Sequence, residues 1–389
     1  MNPIADIIII GGGIHGASLA YHLAQRQASV VLLEKSFLAA GATGRSSGLV
    51  RMHYDLELES RLAWASFQYF RDWKEKVGGE CGFTRTGFVF VPSPEHTDAL
   101  KANVHMHQLI GIPSLLVTAQ DIKRLAPGFM VDDFELAAYE PESGYADPNS
   151  STNALIEAAR KLGTKVVQDC AVTGVIVEGG KIKGVHTVRG DFCSSVVVNA
   201  AGAWAAGIGQ MAGVSIPLNT WRHDTMFIKR PAELRPPHPT VIDDQNSMYF
   251  RPESGGLTLV GLEDGNPLGQ SPDGNTDSSQ PGFVERAIDR ICRRIPAMEL
   301  GELHSSHGGY DGITPDQHAI LGPAGPDGFH LLCGFSGTGF KIAPAVGACM
   351  AEWILDGKPK TVDITPFKLD RFERGGKLAG EHAYEDIWR

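Results

Sequence analysis

Several things are scarce in this chain of 389 residues, and each scarcity excludes something. Six cysteines (Cys81, Cys170, Cys193, Cys292, Cys333 and Cys349) are scattered without C-x-x-C spacing. That argues against a zinc or disulfide framework and fits a reducing, cytoplasmic setting. Fourteen histidines include His105-x-His107, but there is no HExxH and no Cys/His cluster, so no metal site is expected. Long apolar runs are missing too. The run at the N-terminus is strand-length and ends in glycines, as expected of neither a signal peptide nor a membrane span. Lys and Arg number 35 against 45 Asp and Glu, a net charge of -10, with no basic stripe interleaved with aromatics. Nucleic acid is therefore not an expected partner. No internal repeat or low-complexity tract stands out, and the length suffices for a large core and two domains.

What the chain does have is glycine in patterned places. An apolar stretch, Asp6–Ile10, runs into Gly11-Gly12-Gly13-Ile14-His15-Gly16. A helical pattern through Ala17, Leu19, Ala20 and Leu23 follows, then an apolar run Val30–Leu33 ending on Glu34. Gly11, Gly13 and Gly16 form a G-x-G-x-x-G turn, which brings backbone N–H groups close to a pyrophosphate at a helix N-terminus. Glu34, about 20 residues on, stands where an acid accepts hydrogen bonds from a ribose hydroxyl. Strand, turn, helix, strand and acid occur in order, so the chain is expected to bind a dinucleotide. The motif alone does not separate FAD from NAD.

Further along, Leu58, Leu62, Ala65, Tyr69 and Trp73 predict a helix over 55–77, and 86–91 reads as a strand. Helices are expected near 95–110 and 119–126, the second opened by a Thr118/Asp121 capping box. Asp147-Pro148 precedes an amphipathic helix that stops at Gly163. Strands are expected near 165–168, 171–177, 182–188 and 192–199, the last running into Asn199-Ala200-Ala201-Gly202-Ala203-Trp204. From 215 to 260 the strands are aromatic and mixed, and Arg235–Pro239 reads as a loop. Residues 264–282 form a long polar loop, either a lid or an insertion. A helix over 283–295 closes the region. Finally Phe329–Cys333 reads as a strand, followed by Gly334-Phe335-Ser336-Gly337-Thr338-Gly339-Phe340-Lys341 and a helix over 342–355. This second strand–glycine turn–helix suggests that both halves of the chain embrace one long cofactor.

With these residues in view, the chain resembles the FAD-dependent D-amino-acid oxidase superfamily, in its sarcosine oxidase, glycine oxidase and amino-acid dehydrogenase branch. The likeness is greatest to the flavin-bearing β subunits. It rests on Gly11–Gly16, Gly41–Gly48, Ser46–Tyr54, Pro141–Pro148, Asn199–Trp204, Thr314-Pro315-Asp316 and Gly334–Lys341, in family order over nearly the whole length. The resemblance implies an α/β fold: a Rossmann-like FAD domain from 1–82, 141–215 and 300–389. A discontinuous antiparallel-sheet substrate domain would come from 83–140 and 216–299.

It also implies roles for residues. Gly11, Gly13, Gly16 and Glu34 would hold the ADP half, with Val172 on the adenine side. Thr43, Arg45 and Ser46 would surround the pyrophosphate and ribityl chain, and Ile14, His15, Lys35, Ser47, Gly48, Ala201, Gly202 and Trp204 would also contact the cofactor. Gly337, Thr338, Gly339, Phe340 and Lys341 would sit at the flavin's pyrimidine edge, where a helix N-terminus favours developing negative charge. Arg51 and Lys341 would clamp a substrate carboxylate, and Tyr249 would face it, with Glu263 and His223 bordering the pocket. A lysine in the first helical turn opposes the helix dipole, which favours a functional reading of Lys341.

The implied reaction is hydride loss from the carbon beside a neutral amine to flavin N5, giving an imine that hydrolyses. The substrate would be a small carboxylate-bearing amino acid, secondary or N-methyl. Alternatives of the same fold are a 2-hydroxy-acid dehydrogenase and a non-catalytic flavoprotein assembly factor. Two departures stand out. Gly309-Tyr310-Asp311 replaces the flavin-bonding cysteine of monomeric sarcosine oxidases, so FAD is expected to be non-covalent. Leu257-Thr258-Leu259 replaces their oxygen-activating lysine, so the electron acceptor is either O2 or another redox partner. Additional subunits are an open possibility.

Overall fold

The computed structural model describes residues 5–234 and 237–384; Arg235 and Pro236 of the expected proline-rich loop fall outside it. Six strands form one sheet, in the order Ile320–Pro323, Phe329–Cys333, Val197–Asn199, Ile7–Ile10, Val30–Leu33 and Lys165–Val167. All pairings are parallel except that of the first two. Parallel strands are covered on both faces, which explains why Ile7–Ile10 and Val30–Leu33 are apolar throughout and wholly buried. Alternate residues serve opposite faces. Ile7, Ile9, Val30 and Leu32 pack with helices Ile14–Gln25, Glu57–Arg71, Pro148–Lys161 and Gly339–Asp356. Ile8, Ile10, Val31 and Leu33 pack instead on Val185, Phe192 and Ile208, from a three-stranded sheet and helix Ala205–Met211.

Two of these helices cross closely. Ser18 Oγ donates to the Ala343 carbonyl at 2.8 Å, and a Cβ on Gly347 would lie 2.1 Å from Ser18 Oγ. Helix Pro148–Lys161 starts as its sequence predicts: Asp147 accepts the Ser150 N–H at 2.6 Å, and Pro148 sits in the first turn. The Thr118/Asp121 capping box forms as well. The helix expected over 55–77 breaks at Asp72 into Glu57–Arg71 and Trp73–Lys76. The strand expected over 192–199 divides into Phe192–Cys193 and Val197–Asn199; between them Ser194 Oγ bonds the carbonyls of Asp6 and Val196.

The second large sheet has eight strands, in the order Glu302–Ile313, Asn219–Lys229, Leu257–Leu262, Met248–Glu253, Thr240–Asp243, Phe88–Val91, Leu136–Glu140 and Leu115–Thr118. One face, with Val89, Val91, Met226 and Val260, buries the helix Phe283–Arg294 through Phe283, Ala287 and Ile291. Its edge strand Glu302–Ile313 lies within the 300–389 segment assigned above to the cofactor domain. Among the described residues no helix is long and apolar enough to cross a membrane.

Candidate functional site

Strands Ile7–Ile10, Val30–Leu33, Val197–Asn199 and Phe329–Cys333 end together, and a cavity of about 620 Å³ opens beyond their carboxyl ends. This is where open α/β sheets bind ligands. Gly11 adopts φ +112°, and a Cβ there would stand 2.4 Å from the Ala200 carbonyl oxygen. A Cβ on Gly16 would come within 2.0 Å of the Gly11 carbonyl, so helix and strand approach only because both residues are glycine. Gly13, Ile14 and His15 line the cavity above this turn. Glu34 is fixed at the end of its strand: its Oε2 accepts the Gly12 N–H at 2.7 Å, and its Oε1 the Ser36 N–H at 2.8 Å.

Lys35, Thr43, Arg45, Ser46, Val172, Ala201, Gly202, Trp204, Gly337, Gly339 and Phe340 also line this cavity. Of the remaining expected contacts, Ser47 and Lys341 face a second, smaller chamber. Gly16, Gly48 and Thr338 line neither. Gly16 packs beneath the turn, and Gly48 packs on the Ala146 carbonyl. Thr338 turns its hydroxyl to the Phe335 carbonyl at 2.7 Å.

The second glycine turn is braced from the eight-stranded sheet. Asp311, on the edge strand, accepts the Gly337 N–H at 2.8 Å. Burial raises the Asp311 pKa. Sequence reasoning marked 309–311 only as a departure from a family pattern and did not foresee this brace. It also left the role of 264–282 open. Pro272, Asp273, Gly274 and Thr276 of that loop line the large cavity. Asp273 accepts from Lys35 Nζ and from Trp204 Nε1, each at 2.9 Å. Deeper in, the buried Arg222–Asp224 pair holds the loop: Arg222 donates to the carbonyls of Asn275 and Ser278, and Asp224 accepts the Gln280 N–H. The loop is a strap across the cavity.

The smaller chamber, about 120 Å³, adjoins the first and shares Arg45, Ser46, Gly337 and Phe340 with it. Its lining brings Arg51, Lys341 and Tyr249 together, along with His223, Glu263 and Trp221. Arg51 is 4 % exposed, with its guanidinium 4.4 Å above the Tyr54 ring. Lys341 Nζ lies 5.5 Å from the same ring. Burial, and then Arg51, push the Lys341 pKa well below its ordinary value. Among the described residues neither cation has an ion-pair partner within 4.0 Å, which leaves the pair suited to an anion from outside. Glu263 does not fill that role, because burial raises its pKa well above the usual carboxyl range. His223 and Tyr249 join at 2.6 Å, and Asn266 Nδ2 lies 3.3 Å from His223 Nδ1. That amide contact makes Nδ1 the acceptor, so His223 Nε2–H donates to the tyrosine oxygen. Burial holds the His223 pKa down to about 4, keeping the imidazole neutral. Leu257, Thr258 and Leu259 line neither chamber.

A glycine-turn cavity at the ends of a parallel sheet, opening into a roofed chamber with two buried cations, defines a dinucleotide-dependent oxidoreductase. The family model described as FAD dependent oxidoreductase matches residues 6–353, and the chain belongs to that family. Its cofactor is FAD. The walls fit that group: His15 carries a buried ring nitrogen without a hydrogen-bond partner beside the cavity, and side chains at Gly11 and Gly16 would drive into backbone and break the turn that forms the cradle.

The chain is 31 % identical over 385 residues to the mitochondrial sarcosine dehydrogenase of Homo sapiens, covering 95 % of this chain and 41 % of that protein. It thus spans about two-fifths of that relative's length. It is 26 % identical to the sarcosine oxidase subunit beta of Arthrobacter sp, covering 97 % of this chain and 93 % of that one. A crystal structure of L-proline dehydrogenase from P. horikoshii matches with a TM-score of 0.90 at 29 % identity, covering 97 % of this chain and all of that one.

Proposed function

We propose that the protein oxidises the C–N bond of a small secondary amino acid bearing a carboxylate, sarcosine and proline being the first compounds to try. The observation that carries this reading is the pair Arg51 and Lys341, buried in one small chamber without an anionic partner and adjoining the FAD cavity. Two cations at fixed positions orient a carboxylate, and Arg51's planar fork adds direction. FAD, when bound, supplies a two-electron acceptor. The protein's part is to place the substrate and manage its proton. Glu263, in the same wall, takes the ammonium proton once it is itself ionised, which its raised pKa confines to higher pH, so that the amine is neutral when it reacts. Tyr249, held by His223, closes the chamber and excludes water. Gly309-Tyr310-Asp311 offers no thiol, and we read the FAD as non-covalent there; acid precipitation then leaves the flavin in the supernatant.

The deciding experiment is anaerobic mixing with sarcosine, N-alkyl glycines, proline and D-amino acids while following the flavin's visible band. Bleaching by a secondary amino acid supports the proposal. Slow recovery on admitting air then indicates an electron acceptor other than oxygen, on a partner protein or subunit. No bleaching by any amine, or bleaching by a 2-hydroxy acid alone, overturns it.

A further inference from the structure

Behind the substrate chamber three ligand-type side chains meet that neither the fold nor the proposed chemistry uses. His53 follows Arg51 by two residues, His107 lies on the helix Thr97–Ile110, and Glu140 ends the strand Leu136–Glu140. All three are at most 2 % exposed. Each offers a ligand atom within 4.8 Å of the other two.

Their other atoms are already engaged in hydrogen bonds. His107 Nε2 is 2.7 Å from the Tyr54 carbonyl oxygen, which can only accept, and 3.4 Å from the Tyr54 N–H; the shorter contact puts the proton on Nε2 and a lone pair on Nδ1. His53 Nε2 bonds the Tyr384 hydroxyl at 2.8 Å, and the ring stacks on Phe90 at 4.8 Å. Glu140 Oε2 accepts from the Met52 N–H at 2.9 Å and the Ser143 hydroxyl at 2.6 Å. His53 Nδ1, His107 Nδ1 and Glu140 Oε1 are left buried without any partner. Orphaned buried polar atoms are rare and costly, and three in one place call for an occupant.

We propose that His53, His107 and Glu140 bind a divalent metal ion, Zn2+ by ligand type. Two imidazoles and one carboxylate are a zinc ligand set, with bonds of about 2.0–2.2 Å, and leave a fourth position for water. Each ligand already has the outer hydrogen bond that fixes orientation in such sites: Tyr54 O and Tyr384 for the histidines, Met52 N–H and Ser143 for the glutamate. The Arg51 guanidinium faces this group and opposes a cation, while the Glu140 carboxylate offsets it. The ion's position is telling. It joins the Arg51–Tyr54 segment to a helix and to the eight-stranded sheet, so it staples the carboxylate-binding arginine in place. This site does not depend on the substrate proposed above.

The test is metal analysis of the full-length FAD-bound protein, produced in zinc-supplemented medium and washed with chelator. One zinc per chain is expected, with two imidazoles and one carboxylate in its X-ray absorption shell. His107→Gln and Glu140→Gln are expected to lose it. Ser143→Ala, which removes only the outer hydrogen bond, is expected to weaken zinc retention by roughly 10- to 100-fold. Wild-type protein without bound metal overturns the proposal, as does zinc that the folded His107→Gln variant retains equally. Should the triad variants fail to fold, the absorption shell of the wild type decides: a different ligand set overturns it.

Discussion

At the scale of single residues, the chamber's chemistry is set by what burial does to charge. On the proposed function, Arg51→Ala removes charge-assisted hydrogen bonds to a carboxylate, each worth about 1.5–3 kcal/mol. The expected result is a fall in kcat/KM of roughly ten- to hundredfold, since about 1.4 kcal/mol is tenfold. Steady-state kinetics with sarcosine or proline measures it; an unchanged value removes Arg51 from the clamp. The pH profile of kcat/KM follows from two shifts of opposite sign. Glu263 must be ionised to take a proton, so activity rises with pH through its raised pKa. Lys341 must be protonated to hold the carboxylate, so activity falls through its lowered pKa. Glu263→Gln should therefore abolish the rise with pH while leaving the fall. These residues differ in how visible they are in the sequence. Arg51, Tyr249 and Lys341 lie some 90 to 290 residues apart in the chain, and only a family pattern pairs them. His53, His107 and Glu140 have no mutual spacing at all, because their elements meet only on folding. The histidine pair that spacing singled out, His105 and His107, is split by the helix into an exposed and a buried residue.

At the scale of elements, most of what positions the site was legible. The strand–turn–helix at 6–25, the Asp147-Pro148 cap and the turn-plus-helix after Cys333 follow local rules that packing reinforces. The long edge strand Glu302–Ile313 was not legible: Glu-Leu-His-Ser-Ser-His-Gly-Gly has no alternating apolar pattern, and much of its outer half is solvent-exposed. Its pairing with Asn219–Lys229 supplies the order that its composition does not. Helix contact makes a sharper prediction. Gly347→Ala drives a methyl into Ser18 Oγ where two core helices cross. Overpacking of this kind costs about 1–3 kcal/mol, to be read from denaturant midpoints at unchanged m-value. A neutral result would mean that the crossing relaxes freely.

At the scale of the whole molecule, the strap over 264–282 ties the two large sheets to one cavity. Arg222→Ala leaves Asp224 unpaired, and breaking a buried pair costs about 3–5 kcal/mol. Faster release of FAD on dilution is the expected signature, with the flavin's fluorescence as readout; an unaltered release rate would show that the strap covers the cavity without retaining its contents. Acid should loosen the entire fold. Burial holds the pKa of His22 and of His238 at about 4, against about 6.5 in an unfolded chain. Between those values the unfolded chain binds protons that the folded one refuses. Stability present above pH 6.5 is therefore lost towards pH 4, opposed in part by buried carboxyls such as Asp243, whose pKa is raised. The thermal midpoint should fall across that interval, and less steeply in His238→Asn.

The cavity's walls come from opposite ends of the sequence: Gly11 and Gly13 on one side, Gly337, Gly339 and Phe340 on the other, with Asp311 bracing the second turn. During synthesis the first glycine turn leaves the ribosome more than three hundred residues before the second. The cradle is therefore complete only once both turns are present, and a chain cut short before Gly337 is expected to hold flavin poorly, which fluorescence of the truncated protein would show.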